Sequence, residues 1–311
     1  PLAKKKAFNL EIKDKGGHSI AKKDGDWWII FNKQDGTKIR MSFKKDAEKY
    51  VKSATPELVD LKITNFCPYG CPYCYQDAQK NGKHASLEDI GTITHSLREM
   101  NVFEVALGGG EPTLHPKFYE ILKDASHNLY AVNFTTRNLD WFYRPGNHRF
   151  FQDEIIGSCA FSVEKLDDLR NFVEMLKKTG LRKDTYRRPH FTIQYIVKEK
   201  DVTMWELEGI LREACKQYLP TTLLGYKCVG RAAEDEIPPF NTKWLETIAK
   251  LDKEYKLPPL SIDTALAKRY EKEILESGVP KEMFHTEEGK FSMYVDAVEM
   301  KMGPSSYCDE K

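Results

Sequence analysis

The sequence predicts an α/β chain: a partial (β/α)6 barrel with a small β appendage before it and an extension after it. Three observations predict this. From Asp60 onward, short runs rich in β-branched and aromatic residues alternate with longer segments of helical period, the pattern of repeated βα units around a parallel sheet. The helical segments carry start and stop signals of their own. The chain, at 311 residues with 41% hydrophobic and 31% charged side chains, is long enough to bury a sizeable core.

The strand-like runs are residues 60–64, 102–107, 130–135, 158–163, 191–197 and 221–226. Between the first two, Ser86 with Asp89 resembles a capping box and opens a stripe of Leu87, Ile90, Ile93, Leu97 and Met100, spaced three or four apart. Pro116 suits the first turn of a helix burying Phe118, Ile121 and Leu122, and Gly180 fits the end of one burying Leu166, Leu169, Phe172 and Leu176. Thr203 with Glu206 signals a further start, ahead of Leu207, Ile210, Leu211 and Ala214. Six such units make an open, TIM-like barrel, whose site is expected at the loops leaving the C-terminal strand ends. The aromatic and basic stretch 141–151 reads as a long loop that packs as a core flap or contacts substrate.

The chain divides into residues 1–50, a β-hairpin appendage; 51–240, the barrel; and 241–311, a C-terminal helical and β extension. The hairpin signal is Trp27-Trp28-Ile29-Ile30-Phe31, an Asp35-Gly36 turn, then residues 37–43. Residues 1–50 hold 13 Lys/Arg against 7 Asp/Glu in a chain whose net charge is +1. That surplus suits contact with an acidic peptide, or it is the solvated face of a cap on the barrel. The overall charge gives no reason to expect nucleic acid. No apolar run approaches the roughly 20 residues of a membrane span, and the lysine-rich start is not followed by a signal-peptide stretch. A cytoplasmic protein with no membrane partner is the expectation.

Seven cysteines, three of them within eight positions, favour metal ligation over a disulfide framework. The first strand ends in Cys67-Pro68-Tyr69-Gly70-Cys71-Pro72-Tyr73-Cys74, a Cys-x3-Cys-x2-Cys loop. Three thiolates on a compact loop can hold three irons of a cubane and leave the fourth open. The Cys71 and Cys74 pair could instead be half a zinc site or a redox dithiol; zinc lacks an evident fourth ligand, and a dithiol leaves Cys67 unused. The second strand runs into Gly108-Gly109-Gly110-Glu111-Pro112, where glycines allow close backbone approach and a carboxylate can accept from an ammonium group.

Together these motifs resemble the signature of the radical S-adenosylmethionine superfamily, including the aromatic Tyr73 before the third cysteine. The resemblance implies one [4Fe-4S] cluster on Cys67, Cys71 and Cys74. It also implies S-adenosylmethionine chelating the open iron and cleaved reductively to a 5′-deoxyadenosyl radical, with an electron donor such as flavodoxin or ferredoxin. It places Gly109, Gly110 and Glu111 at the methionine moiety, and Thr136, Ser162 and Glu164 at ribose- and carboxylate-contacting positions, with Gln194 on the fifth strand as a further cofactor-binding candidate. Lys227 and the Gly230-Arg231 pair match a sixth-strand segment of the superfamily, with no partner assigned.

Residues 261–266, 288–296 and 304–307 resemble the C-terminal extensions of radical peptide-modifying enzymes, in a degenerate, SPASM/twitch-like form. Where those relatives carry auxiliary cluster cysteines, this chain has Ala265, Thr286 and Ser305. Of the remaining cysteines, Cys159 and Cys215 are expected to be buried thiols, and Cys308 has no assigned role. A ribosomally made precursor peptide is the implied substrate, with a separate leader-binding protein as a further partner. The competing readings are a radical enzyme acting on a small molecule, an activase of a protein partner, and a non-catalytic iron-sulfur protein.

Overall fold

The computed structural model describes residues 9–10, 18–181, 190–197, 201–234 and 242–308. Four antiparallel strands open the chain, β1 (Asn9–Leu10), β2 (Ser19–Asp24), β3 (Trp27–Asn32) and β4 (Lys38–Met41), ordered β1-β2-β3-β4. The Asp35-Gly36 turn forms as its residues require: Thr37 N–H donates to Asp35 Oδ1 at 2.8 Å and Gly36 takes φ +77. The appendage is therefore a four-stranded sheet, larger than the expected hairpin.

Six parallel strands follow, β5 (Leu58–Thr64), β6 (Glu104–Gly109), β7 (Ala131–Thr136), β8 (Ser158–Val163), β9 (His190–Val197) and β10 (Thr221–Gly225), each paired with the next. The helices lying between them include α1 (Leu87–Glu99), α2 (Phe118–Asn128), α3 (Leu139–Phe142), α4 (Pro145–Gln152), α5 (Leu166–Thr179) and α6 (Asp201–Lys216). Ser86 caps α1 by accepting from Asp89 N–H, and Gly180 ends α5 in the left-handed region at φ +70.

Three local readings are corrected. Residues 141–151 are the helices α3 and α4 rather than a loop, because Trp141, Phe142, Phe150 and Phe151 are all driven into the core. Helix α6 starts at Asp201, so Thr203 lies inside its first turn instead of capping it. Pro116 precedes α2, and Pro112 is the proline that opens a helical turn, a short 3-10 segment.

The C-terminal segment extends the sheet at both edges. After α7 (Lys243–Tyr255), β11 (Leu260–Ile262) pairs parallel with β10. After α8 (Thr264–Arg269) and α9 (Glu271–Glu276), β12 (Ser292–Asp296) pairs parallel with β5, and β13 (Lys301–Gly303) runs antiparallel beside it. The result is a nine-stranded, mostly parallel, open sheet. A buried Lys62–Asp296 ion pair at 3.0 Å fixes β12 on β5.

The N-terminal sheet covers the opposite end of the strands from the cysteine loop. Phe31 stacks on Phe103 at 5.2 Å beside Ile20, Ile29 and Ala131. Arg40 grips the buried Glu57 with two bonds, at 3.1 and 2.6 Å, and Lys38 pairs with Glu104 at 2.6 Å. Lys22, buried, donates to Thr55 Oγ1 at 3.2 Å and more distantly to three backbone carbonyls. Three of the segment's cations are thus committed internally, which favours the capping reading of residues 1–50.

Lys22 gives this junction a pH signature. Burial outweighs the attraction of Glu57 and Asp24 and lowers its pKa from 10.5 to about 8. Between those values the unfolded chain binds more protons than the folded one, so stability rises with pH across that window. Urea unfolding of the protein and its Lys22→Met variant is expected to show the difference moving in favour of the parent by roughly 3 kcal/mol from below pH 8 to pH 10.5. A flat difference would mean that Lys22 keeps its proton.

Candidate active site

The cysteine loop leaves the C-terminal end of β5 and is held by its own backbone. Cys67 N–H donates to Gln79 O at 2.9 Å, Cys74 N–H to Cys71 O at 3.3 Å, and Asp77 N–H to Cys74 O at 3.0 Å. Gly70 turns the loop at φ +63. Two donors address the sulfurs directly: the Ala78 amide reaches Cys74 Sγ at 3.5 Å, and Arg137 Nη1 reaches Cys71 Sγ at 2.9 Å. All three thiols are free and half-buried, and burial pushes the Cys67 thiol up.

The glycine turn after β6 packs backbone to backbone against the root of this loop. Gly110 N–H donates to Thr64 O at 2.7 Å and Glu111 N–H to Phe66 O at 2.8 Å. A Cβ on Gly109 would lie 2.3 Å from Thr64 O, and one on Gly110 would lie 2.1 Å from Phe66 O. The close approach these two glycines permit is therefore to the cysteine loop. Gly108 is the member of the run where a Cβ would meet nothing within 4 Å, and it lines the cleft.

Glu111 is buried and accepts four bonds. Its Oε1 takes Thr113 N–H at 3.2 Å, Thr113 Oγ1 at 2.6 Å and Thr136 Oγ1 at 2.6 Å, and its Oε2 takes Arg137 N–H at 3.1 Å. Burial raises its pKa, with these bonds pulling the other way. The Thr136 hydroxyl proton is therefore committed to Glu111 rather than pointing at a ribose.

These groups share one cleft of about 400 Å³ at the C-terminal strand ends. All eleven residues singled out in the sequence line it: Cys67, Cys71, Tyr73, Cys74, Gly109, Gly110, Glu111, Thr136, Ser162, Glu164 and Gln194. Sequence reasoning assigned no role to Arg137, Asp263 or Asp60, and it left Lys227 without a partner. Arg137 spans the cleft, donating to Glu164 Oε2 at 3.1 Å and Tyr73 OH at 3.4 Å besides Cys71. Lys227 pairs with Asp263 at 3.0 Å between the rings of Tyr75 and Tyr307. Burial opposes its charge, yet Asp263 and Tyr75 outweigh that and raise its pKa. Asp60 opens onto the cleft but is otherwise walled in by protein, which pushes its carboxyl up to about 6 against the pull of Lys227.

The other cysteines lie apart from the loop in the chain. Cys159 is buried in β8 as expected. Cys215 is not: it sits half-exposed at the end of α6, its thiol directed at Tyr255 O at 3.7 Å, because α6 turns that position toward the C-terminal end of α7. Cys308 donates to Ser305 O at 3.2 Å, and Ser305 itself lines the cleft. Among the described residues no three His, Cys, Asp or Glu side chains converge as a single metal ion requires. No helix among the described residues is long and apolar enough to cross a membrane.

Curated relatives include the PqqA peptide cyclase of Bradyrhizobium diazoefficiens, 36% identical over 83 residues, 26% of this chain and 22% of that protein. The mycofactocin maturase MftC of Mycobacterium ulcerans is 31% identical over 85 residues, 27% of this chain and 23% of that one. The matched stretch thus spans less than a quarter of either relative. In fold, the crystal structure of Streptococcus suis SuiB bound to precursor peptide SuiA superposes with a TM-score of 0.69 at 11% identity, over 98% of this chain and 85% of that one. The sequence profile of the radical SAM superfamily matches residues 61–218, from within β5 to just beyond α6 and so across both the cysteine loop and the glycine turn. On that match, which takes in half of its length, the chain belongs to the radical SAM superfamily.

Proposed function

We propose that this chain is a radical SAM enzyme that modifies a ribosomally made precursor peptide. The observation that carries the reading is convergence: a three-cysteine loop, a glycine-carboxylate turn and residues of four further strands, β7 to β10, open into the same cleft. Cys67, Cys71 and Cys74 would hold a single [4Fe-4S] cluster. Glu111, with Gly108 beside it, would hold the amino-acid end of S-adenosylmethionine, since Glu111 Oε2 carries one hydrogen bond and has capacity for another. Ser162, Glu164 and Gln194 would contact the rest of that cofactor. When bound, the pair supplies a carbon-centred radical able to abstract hydrogen.

The chain's own part is to orient and exclude. The Arg137–Glu164 bridge joins β7 to the end of β8 across the cleft. Lys227, Asp263, Asp60 and Tyr307 form the far wall, where the C-terminal segment meets β5 and β10. A peptide substrate is supported by the kinship with an enzyme named as a peptide cyclase, and by a fold shared with a protein crystallised with its precursor peptide. The N-terminal sheet stands away from the cleft, which favours a separate leader-binding protein. The electron comes from outside the chain, from a reduced flavodoxin or ferredoxin.

A candidate precursor peptide, incubated anaerobically with reconstituted enzyme, dithionite and S-adenosylmethionine, is expected to change in mass or in amino-acid configuration only when all components are present. An unchanged peptide alongside continued cofactor cleavage would direct the substrate search to small molecules.

A further inference from the structure

The residues after β10 cross the cleft rim and grip the cysteine loop. Arg231 Nη1 donates to Cys71 O at 2.6 Å, its Nη2 donates to Ala78 O, and its backbone N–H donates to Cys74 O at 3.0 Å. Its Nε lies 3.5 Å from Asp77 Oδ1. Gly230, at φ +63, lies so close that a Cβ there would come within 2.4 Å of Tyr75 O. One guanidinium and one amide thus satisfy three carbonyls of a loop 160 residues earlier in the chain, two of them on cysteines. These bonds need no iron; they define where Cys71 and Cys74 stand before a cluster arrives.

We infer that Arg231 is a positioning residue that preorganises the cysteine loop for ligation and ties it to the β10 side of the barrel. It acts through the backbone and leaves the sulfurs free, whereas Arg137 reaches the Cys71 sulfur itself. The planar guanidinium matters because its donors reach two carbonyls, on Cys71 and Ala78, at once. A lysine offers a single charged centre and can replace only part of the contact.

The inference rests on the cluster reading, so its test has one arm that does not. In iron-free protein, site-resolved alkylation by N-ethylmaleimide compares Cys71 and Cys74 with Cys215 as an internal reference. In Arg231→Gln the two loop cysteines are expected to react about tenfold faster relative to Cys215, the size set by losing one charge-assisted hydrogen bond. Arg231→Lys should fall between, and Gly230→Ala should repeat the effect from the backbone side. Unfolding midpoints of each variant, measured alongside, separate loop release from general unfolding. In the second arm, iron is withdrawn from reconstituted protein by bathophenanthroline disulfonate, and Arg231→Gln should lose it about tenfold faster. Unchanged alkylation ratios in folded Arg231→Gln and Gly230→Ala would overturn the inference. Altered ratios in the variants, together with a parent protein that takes up no iron, would leave the strut standing and sink the cluster reading.

Discussion

Replacing Cys67, Cys71 and Cys74 together by Ala is expected to take the iron content of reconstituted protein from about four per chain, the content of one [4Fe-4S] cluster, to about none. The other four cysteines, Cys159, Cys215, Cys228 and Cys308, form no second group of three closely spaced thiols in the sequence. Cys159 is closed inside β8, Cys215 stands at the end of α6, and Cys308 bonds back to its own tail. Ala265, Thr286 and Ser305 add no thiolate from the C-terminal segment. The check is iron and sulfide analysis with visible absorption of parent and triple variant, both reconstituted anaerobically. About four irons kept by the triple variant would remove these cysteines from the site. About eight in the parent would reveal a second cluster.

Glu111→Gln is expected to weaken S-adenosylmethionine binding by roughly a hundredfold while leaving iron content unchanged, the loss typical of removing one member of a buried, hydrogen-bonded charge pair. The carboxylate is buried, fixed by Thr113 and Thr136, and aimed beside the glycine turn. An amide in its place would also set its NH2 against fixed donors: whichever way it flips, either Arg137 N–H or the Thr136 hydroxyl loses its acceptor. Equilibrium dialysis against the cofactor reads the change. A shift below about threefold would show that Glu111 holds the turn together and does not bind the cofactor.

What could be read from the sequence is what local pattern encodes. The run 158–163 is β8 to the residue, since alternating apolar positions mark a strand facing helices on one side. Ser86 and Gly180 bound their helices because caps are short-range chemistry. The cysteine loop was legible for the same reason. The edge strands β11, β12 and β13 were not, because three to five residues carry little period and their place depends on pairing with strands far away in the chain. Helices α3 and α4 were hidden by a dense aromatic stretch with no clear helical stripe, which only the core could sort.

In the site, residue types were legible and their partners were not. Arg137 was visible beside Thr136, but its bond to Cys71 joins positions 66 apart. The Gly230-Arg231 pair was recognised without a partner for the same reason. The glycines after β6 were noticed for their permissive backbone, yet what approaches Gly109 and Gly110 is the cysteine loop, a contact only the fold supplies.

Reductive cleavage of S-adenosylmethionine in this cleft is the reaction on which the proposed function rests. The most direct measurement is anaerobic incubation of reconstituted enzyme with dithionite and the cofactor, followed by chromatography for 5′-deoxyadenosine and methionine. Both products are expected in equal amounts from the parent protein, and neither above background from the variant lacking Cys67, Cys71 and Cys74. Equal product from the two proteins, or none from a parent that carries about four irons per chain, would contradict that expectation.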